Sequence, residues 1–324
     1  MSKPLRAGLI GAGAFGQWHA SKYATLPGVE LTGVFDIDPS SAAAVASRLG
    51  CRVFSSMEAL VAAVDIVSVA TPASTHVDVA SRALRAGCHV MIEKPLAQSV
   101  DAADTLIALA QRNRRHIGLG HQESLVLEAF GCLDIPEKPY LVEAVRDCPA
   151  SERGRDVPVA IDLMVHDAHL ALATLGDASP IAVSAHGIRG KDSQNAVAAE
   201  LAFANQVRVR LSSSRIAEAP KRILKLHYES GVIEIDFITR TCTNSTKYPL
   251  AQTQDTAEVL ADPLCANISR FVAAVKAPER RSASTLRAGR QALWLVETID
   301  RVARSGVDWT STKNAIPTVA ASQA

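Results

Sequence analysis

Residues 5–16 read LRAGLIGAGAFG: a short apolar run from Leu5 to Ile10 passes directly into Gly11-Ala12-Gly13-Ala14-Phe15-Gly16. Alone, the G-x-G-x-x-G spacing is a weak signal. Its surroundings make it specific, because it follows a strand and opens a helix that runs through Tyr23 to a stop at Pro27-Gly28. A second strand, Glu30 to Phe35, then ends in Asp36, 20 residues after Gly16. Each glycine has a job: Gly11 permits the tight turn, Gly13 lets backbone approach a pyrophosphate, and Gly16 lets the helix lie close to the sheet. Ala14, Phe15 and Gly16 open the helix, whose free N–H groups and positive dipole end suit phosphate. Asp36 is placed to accept hydrogen bonds from a ribose diol and to repel a 2′-phosphate. The expected cofactor is therefore NAD, with NADP disfavoured.

Working outward, strand and helix keep alternating. Helices are expected over Ser40–Leu49, Ser56–Val64 (with Ser55 and Glu58 at capping-box spacing), Thr75–Ala86 and Ser99–Asn113. Strands are expected over Arg52–Phe54, Asp65–Ala70, His89–Ile92 and His116–Gly120. This pattern means a parallel, doubly wound sheet, whose ligands bind beyond the carboxyl ends of the strands. Gly11–Gly16, Asp36, Thr71-Pro72 and Glu93-Lys94-Pro95 all fall at such ends. A lysine there can hydrogen-bond a substrate hydroxyl and favour its alkoxide; the other reading is a surface lysine before a turn proline. His76 either lines the same edge or decorates a helix surface. Trp18 and His19 read as packing residues of the first helix.

After about Gln122 the alternation stops. Strands are expected over Tyr140–Arg146, Ile181–Ile188, Ala196–Phe203, Val207–Ser214, Ile223–Glu229 and Val232–Ile238. Hairpin turns at Asn205-Gln206 and Ser230-Gly231 argue for an antiparallel sheet. The expected layout is an α/β dinucleotide-binding domain over 1–122, an α+β domain with a large open, mainly antiparallel sheet over 123–310, and a frayed tail over 311–324. Two closing helices are expected, Pro263–Lys276 and Thr285–Arg304.

Between the halves lies VPVAIDLMVHDAHLALATLG, residues 157–176, which reads as one helix with Pro158 in its first turn and Gly176 as its cap. Ile161, Val165, Ala168, Leu172 and Leu175 form an apolar stripe, and Asp162, His166 and His169 lie on a second face at i, i+4 and i+7. A carboxylate one turn before an imidazole can orient the ring and hold its tautomer, as a general base requires. The plainer reading is a polar solvent face. Just upstream, the Arg153 and Arg155 guanidinium forks either contact a diphosphate or are solvated loop groups.

Composition excludes several classes. With 324 residues and a net charge of +1, scattered basic residues suggest neither nucleic acid nor a polybasic membrane anchor. No signal-peptide core precedes the first strand, and Asp65 interrupts the apolar run from Ala59 to Ala73, so no spanning helix is expected. Six cysteines without metal-site spacing read as reduced thiols of a cytoplasmic protein.

GAGAFGQWHA, TPASTH, EKP and DLMVHD, in this order and at these separations, resemble the Gfo/Idh/MocA (glucose–fructose oxidoreductase / inositol dehydrogenase) family over roughly residues 4–305. The resemblance implies a Rossmann domain, an open-sheet domain and an active site between them. It implies oxidation of a secondary hydroxyl of a sugar or cyclitol. The cofactor would touch Gly11, Gly13, Ala14, Phe15, Gly16, Asp36, Thr71, Pro72, His76, Glu93 and Lys94. A catalytic trio is implied: His166 as base, Asp162 as its partner and Lys94 positioning the oxygen, with no metal. The Lys94–Pro95 bond is implied to be cis. His169 stands where members commonly carry an acidic residue facing the substrate. The segment around DLMVHD is similar to UDP-N-acetylglucosamine 3-dehydrogenases, which implies a nucleotide sugar held by Lys94, Arg153, Arg155, Asp162, His166 and His169. A free-sugar or cyclitol dehydrogenase and a non-catalytic NAD/sugar sensor remain open. So does assembly as a homodimer or homotetramer through the second-domain sheet.

Overall fold

The computed structural model describes residues 3–150, 157–176, 178–189, 194–250, 255–277 and 283–310. In chain order, β1 (Leu5–Ile10), α1 (Ala14–Thr25), β2 (Val29–Phe35), α2 (Pro39–Leu49), β3 (Arg52–Val53), α3 (Met57–Ala63) and β4 (Ile66–Val69) come first. Then follow α4 (His76–Arg85), β5 (His89–Ile92), α5 (Val100–Arg112), β6 (Ile117–Leu119) and α6 (Gln122–Ala129). The remainder holds β7 (Leu141–Asp147), α7 (Val165–Leu175), β8 (Pro180–Arg189), β9 (Gln194–Phe203), β10 (Arg208–Ser214), β11 (Lys221–Tyr228), β12 (Gly231–Asp236) and β13 (Thr241–Asn244). It closes with α8 (Thr256–Ala261), α9 (Pro263–Lys276), α10 (Ala283–Ser305) and β14 (Trp309–Thr310).

Contacts divide the chain into two compact units: Met1–Cys132, Glu152–Val157 and Ala251–Trp294 in the first, Leu133–Ser151, Pro158–Leu250 and Leu295–Ala324 in the second. The first unit is built on a parallel sheet of order β3-β2-β1-β4-β5-β6. The reversal beside β1 is the switch point where such sheets bind dinucleotides. One core joins Ala7, Tyr23, Ile66 and Met91 to Ile268, Phe271 and Val272 of α9, which explains why a segment far along the chain belongs here. Another joins Leu9, Ala20 and Val34 to Ala42, Val45 and Ala46 of α2. Polar ties secure the returning segment: Asn267 donates to the Leu119 carbonyl at 3.0 Å, and Thr256 to that of Ala129 at 2.8 Å.

The second unit is an eight-stranded sheet of order β13-β12-β11-β7-β10-β9-β8-β14. Period-two burial along β7, β10, β11 and β12 gives it one covered and one open face. On the covered face α7 packs against β7 and β10.

Several boundaries differ from expectation. α3 is capped by Ser56, whose hydroxyl accepts from the Ala59 N–H at 3.2 Å, so no Ser55 box is needed. The expected single helix after Val157 begins instead with a π-helical stretch, Ala160–Met164, before α7. The sheet is mixed rather than purely hairpin-built: β7 lies between β11 and β10 and pairs with β10 in parallel. A short edge strand not expected from the sequence pairs Trp309 and Thr310 with Val183 and Ala182. The expected tail over 311–324 lies outside the described residues.

Candidate active site

In the first unit the glycine turn is built as its spacing requires. Gly11 has φ +94°, and a Cβ there would stand 2.6 Å from the Ala70 carbonyl oxygen. A Cβ on Gly16 would be 1.8 Å from the Gly11 carbonyl oxygen, so α1 can rise only over glycine. A Cβ on Gly13 would meet nothing within 4 Å, so open space lies where a pyrophosphate must approach the backbone. Asp36 is fixed from two sides: the Ala12 N–H donates to one carboxylate oxygen at 2.5 Å and the Asp38 N–H to the other at 2.8 Å. A carboxylate so held has lone pairs left for a ribose diol and none of the freedom to swing away. These residues fit a dinucleotide.

Thr71-Pro72 follows β4, where Thr75 donates to the Pro72 carbonyl at 2.8 Å. Glu93-Lys94-Pro95 follows β5 with a cis Lys94–Pro95 bond. Glu93 is buried and Lys94 half-buried. His76 is also buried, with Nδ1 2.8 Å from the Pro95 carbonyl oxygen and Nε2 2.9 Å from that of Thr71. Its ring therefore lies between the backbone segments that follow β4 and β5. The two residues read as packing differ sharply. Trp18 is 53 % exposed and meets Phe15 edge-on at 4.9 Å, whereas His19 is fully buried and hydrogen-bonded to Glu93 and Ser68.

In the second unit, Asp162 lies in the π-helical stretch and His166 in the first turn of α7, both half-buried. π-Helical turns inserted before or within α-helices frequently mark functional sites, because they re-aim side chains. The expected stripe is formed, with Ile161, Val165, Ala168 and Leu172 buried. His169 is buried, and burial pushes its imidazole down to about 4, so it is neutral at pH 7. Next to His166, Asp167 forms a bidentate pair with Arg146 of β7, at 2.9 Å through each oxygen, with both side chains buried. Arg215, just past β10 and largely buried, places Nη2 3.9 Å from Asp162 Oδ2. Arg153 and Arg155 lie outside the described residues. Among the described residues, no cluster of three His, Cys, Asp or Glu side chains is arranged to hold a metal ion.

The profile of an oxidoreductase family with an NAD-binding Rossmann fold, GFO_IDH_MocA, matches residues 5–121. The UDP-N-acetylglucosamine 3-dehydrogenase of Acidithiobacillus ferrooxidans is 35% identical over 288 residues, covering 84% of this chain and 89% of that one. The chain belongs to the Gfo/Idh/MocA family. A solved structure of the A. ferrooxidans enzyme superposes with a TM-score of 0.79 at 32% identity, covering 93% of this chain and 98% of the other. At 17% identity, scyllo-inositol dehydrogenase from Lactobacillus casei, solved with NAD(H) and scyllo-inositol, shares the fold, with a TM-score of 0.78 over 96% of this chain and all of that one. This Gfo/Idh/MocA protein is thus an NAD-dependent dehydrogenase acting on CH–OH groups. None of its described helices is long and apolar enough to cross a membrane.

Sequence reasoning missed His19, Arg146, Asp167 and Arg215. A histidine two turns into a helix, a second aspartate after His166 and arginines near strand ends carry no spacing signal. Their meaning comes from partners far along the chain.

Proposed function

We propose that the protein oxidises a secondary hydroxyl of a nucleotide-linked sugar, C3 of a UDP-linked N-acetylhexosamine, to the ketone. The observation that carries this reading is the 35% identity to a UDP-N-acetylglucosamine 3-dehydrogenase, which runs through both units. Lys94, Asp162 and His166 act on one carbinol. His166 in its neutral form takes the hydroxyl proton, and Asp162 orients the imidazole and stabilises the positive charge it acquires. The Lys94 ammonium hydrogen-bonds the same oxygen and favours its developing negative charge. Bound NAD supplies the hydride acceptor. Gly11, Gly13, Ala14, Phe15 and Gly16 hold its pyrophosphate, and Asp36 holds the adenosine ribose and discriminates against NADP. Thr71, Pro72, His76 and Glu93 shape the nicotinamide edge. Arg153 and Arg155 take the substrate's diphosphate, and His169 backs the pocket as a neutral ring.

The enzyme works in the cytoplasm as a homo-oligomer in which a second copy covers the open sheet face. None of the six cysteines is disulfide-bonded, which suits a reducing compartment. Across the open face, Arg210 lies 3.5 Å from both Glu143 and Glu200, and Lys225 lies 2.8 Å from Glu234, a mixed-sign surface suited to pairing with itself.

The test is reduced-nicotinamide absorbance, with a ketone-trapping reagent present, for NAD offered with UDP-N-acetylglucosamine, its uronate, free glucose and myo-inositol. Signal confined to the nucleotide sugars is the expected result. Signal confined to the free polyols would keep the dehydrogenase and discard the substrate.

A further inference from the structure

We infer that His19 and His76 are positioning residues for Lys94: two buried imidazoles fix the Glu93-Lys94-Pro95 turn at its two ends, one through the Glu93 carboxylate, the other through the Pro95 carbonyl. The role given to Lys94 rests on the function proposed above.

His19, from the helix opened by the glycine turn, is 0% exposed. Its Nε2 is 2.8 Å from Glu93 Oε1 and its Nδ1 2.9 Å from Ser68 Oγ, which in turn lies 2.8 Å from the Tyr23 hydroxyl. Proton bookkeeping assigns the tautomer. An ionised carboxylate only accepts, so Nε2 carries the hydrogen. Nδ1 then accepts from Ser68, and Ser68 from Tyr23. One donor serves each contact and no ring nitrogen is wasted. The chain ends at Tyr23, itself 0% exposed, with a phenol that burial pushes well above its ordinary range. A relay that stops at a buried, un-ionised phenol cannot deliver protons to water. It is a strut. Gly120 completes the Glu93 setting: a Cβ there would stand 2.8 Å from Oε1 and 2.9 Å from Oε2, so only glycine leaves room for the carboxylate where His19 holds it.

His76 braces the other end. Its two nitrogens face two backbone acceptors, the Pro95 and Thr71 carbonyls, at 2.8 and 2.9 Å. A neutral ring carries one N–H and donates to one of these carbonyls at a time, so it spans the segments after β5 and β4, both at carboxyl ends of the sheet, by a hydrogen bond to one and close contact with the other. Packing alone would leave ring nitrogens satisfied anywhere. Here both histidines engage the same three-residue turn, and the residue between the two anchors is Lys94.

The experiment reads Lys94 directly. Reductive ¹³C-methylation labels the lysine amines, and the Lys94 signal is assigned by its loss in Lys94→Arg. His19→Leu and His76→Leu should each shift that signal while leaving those of Lys22 and Lys276 in place; His19→Gln, which keeps an N–H donor, should shift it less. In unlabelled enzyme the leucine variants should lower kcat by about 10²-fold, the order a displacement of about 1 Å produces, with KM for NAD little changed in His19→Leu. Should a leucine variant fold poorly, Gly120→Ala presses on the Glu93 carboxylate from the other side and should shift the same signal. A Lys94 signal identical to wild type in the well-folded variants would overturn the inference, whatever the turnover. If instead the signal moves but wild type oxidises no sugar, the clamp stands and the functional reading falls.

Discussion

Asp162 and Asp167 are five positions apart and work in different surroundings. Asp167 is locked by two charge-assisted hydrogen bonds to buried Arg146, so removing it takes both bonds and their countercharge from a buried guanidinium. Asp167→Ala should cost about 3–5 kcal/mol of stability, seen as a lower midpoint in urea. Asp162 is half-buried, so Asp162→Asn should leave that midpoint nearly unchanged and lower kcat. His166→Ala should lose turnover by about 10²–10⁴-fold without weakening NADH binding measured by fluorescence; wild-type-like turnover would remove it as the base. Asp36→Ala should narrow the preference for NAD over NADP in kcat/KM. His169 supplies a pH signature. Burial lowers its pKa from 6.5 to about 4, so the unfolded chain binds the proton more readily. That stability is fully present above pH 6.5 and is lost as pH falls toward 4. Thermal midpoints of His169→Gln should therefore fall less steeply over that window than those of wild type. At this scale the glycine turn was legible because its signal is a local spacing, which the close approaches at Gly11 and Gly16 bear out. His19 and Arg146 were not, because their partners Glu93 and Asp167 lie 74 and 21 residues away.

Among the elements, β1 and β5 were read correctly from their continuous apolar runs and α9 from its helical period. Short ones escaped. The six residues of α8 and the four of β13 carry too few turns of pattern to stand out from a loop. The parallel pairing of β7 with β10 was illegible for another reason: period-two polarity says which face is buried, and nothing about which strand lies alongside. The π-helical stretch before α7 was hidden because Ala160–Met164 carries no residue that breaks an α-helix. Caps are a sharper case. Ser55 and Ser56 are adjacent and chemically equal, and only the observed Ser56-to-Ala59 bond decides between them. Ser56→Ala should lower stability by about 1 kcal/mol and Ser55→Ala by much less, read from urea midpoints.

On the scale of the molecule, the sequence announces a nucleotide-binding half and a sheet half, while the contacts make the first unit from three stretches of chain. The returning α9 completes the core under β1, β4 and β5 through Ile268, Phe271 and Val272, while Val259 of α8 packs on Leu125 and Ala129 of α6. Sedimentation of wild type should show a dimer or larger species, and reversing charge at Arg210 and Lys225 on the open sheet face should dissociate it. The proposed reaction removes hydride from one ring carbon of a nucleotide sugar. It is tested most directly with UDP-N-acetylglucosamine deuterated at C3. The expected result is deuterium in the reduced nicotinamide and a slower turnover than with unlabelled substrate. Reduced nicotinamide free of deuterium, formed at an unchanged rate, would contradict it.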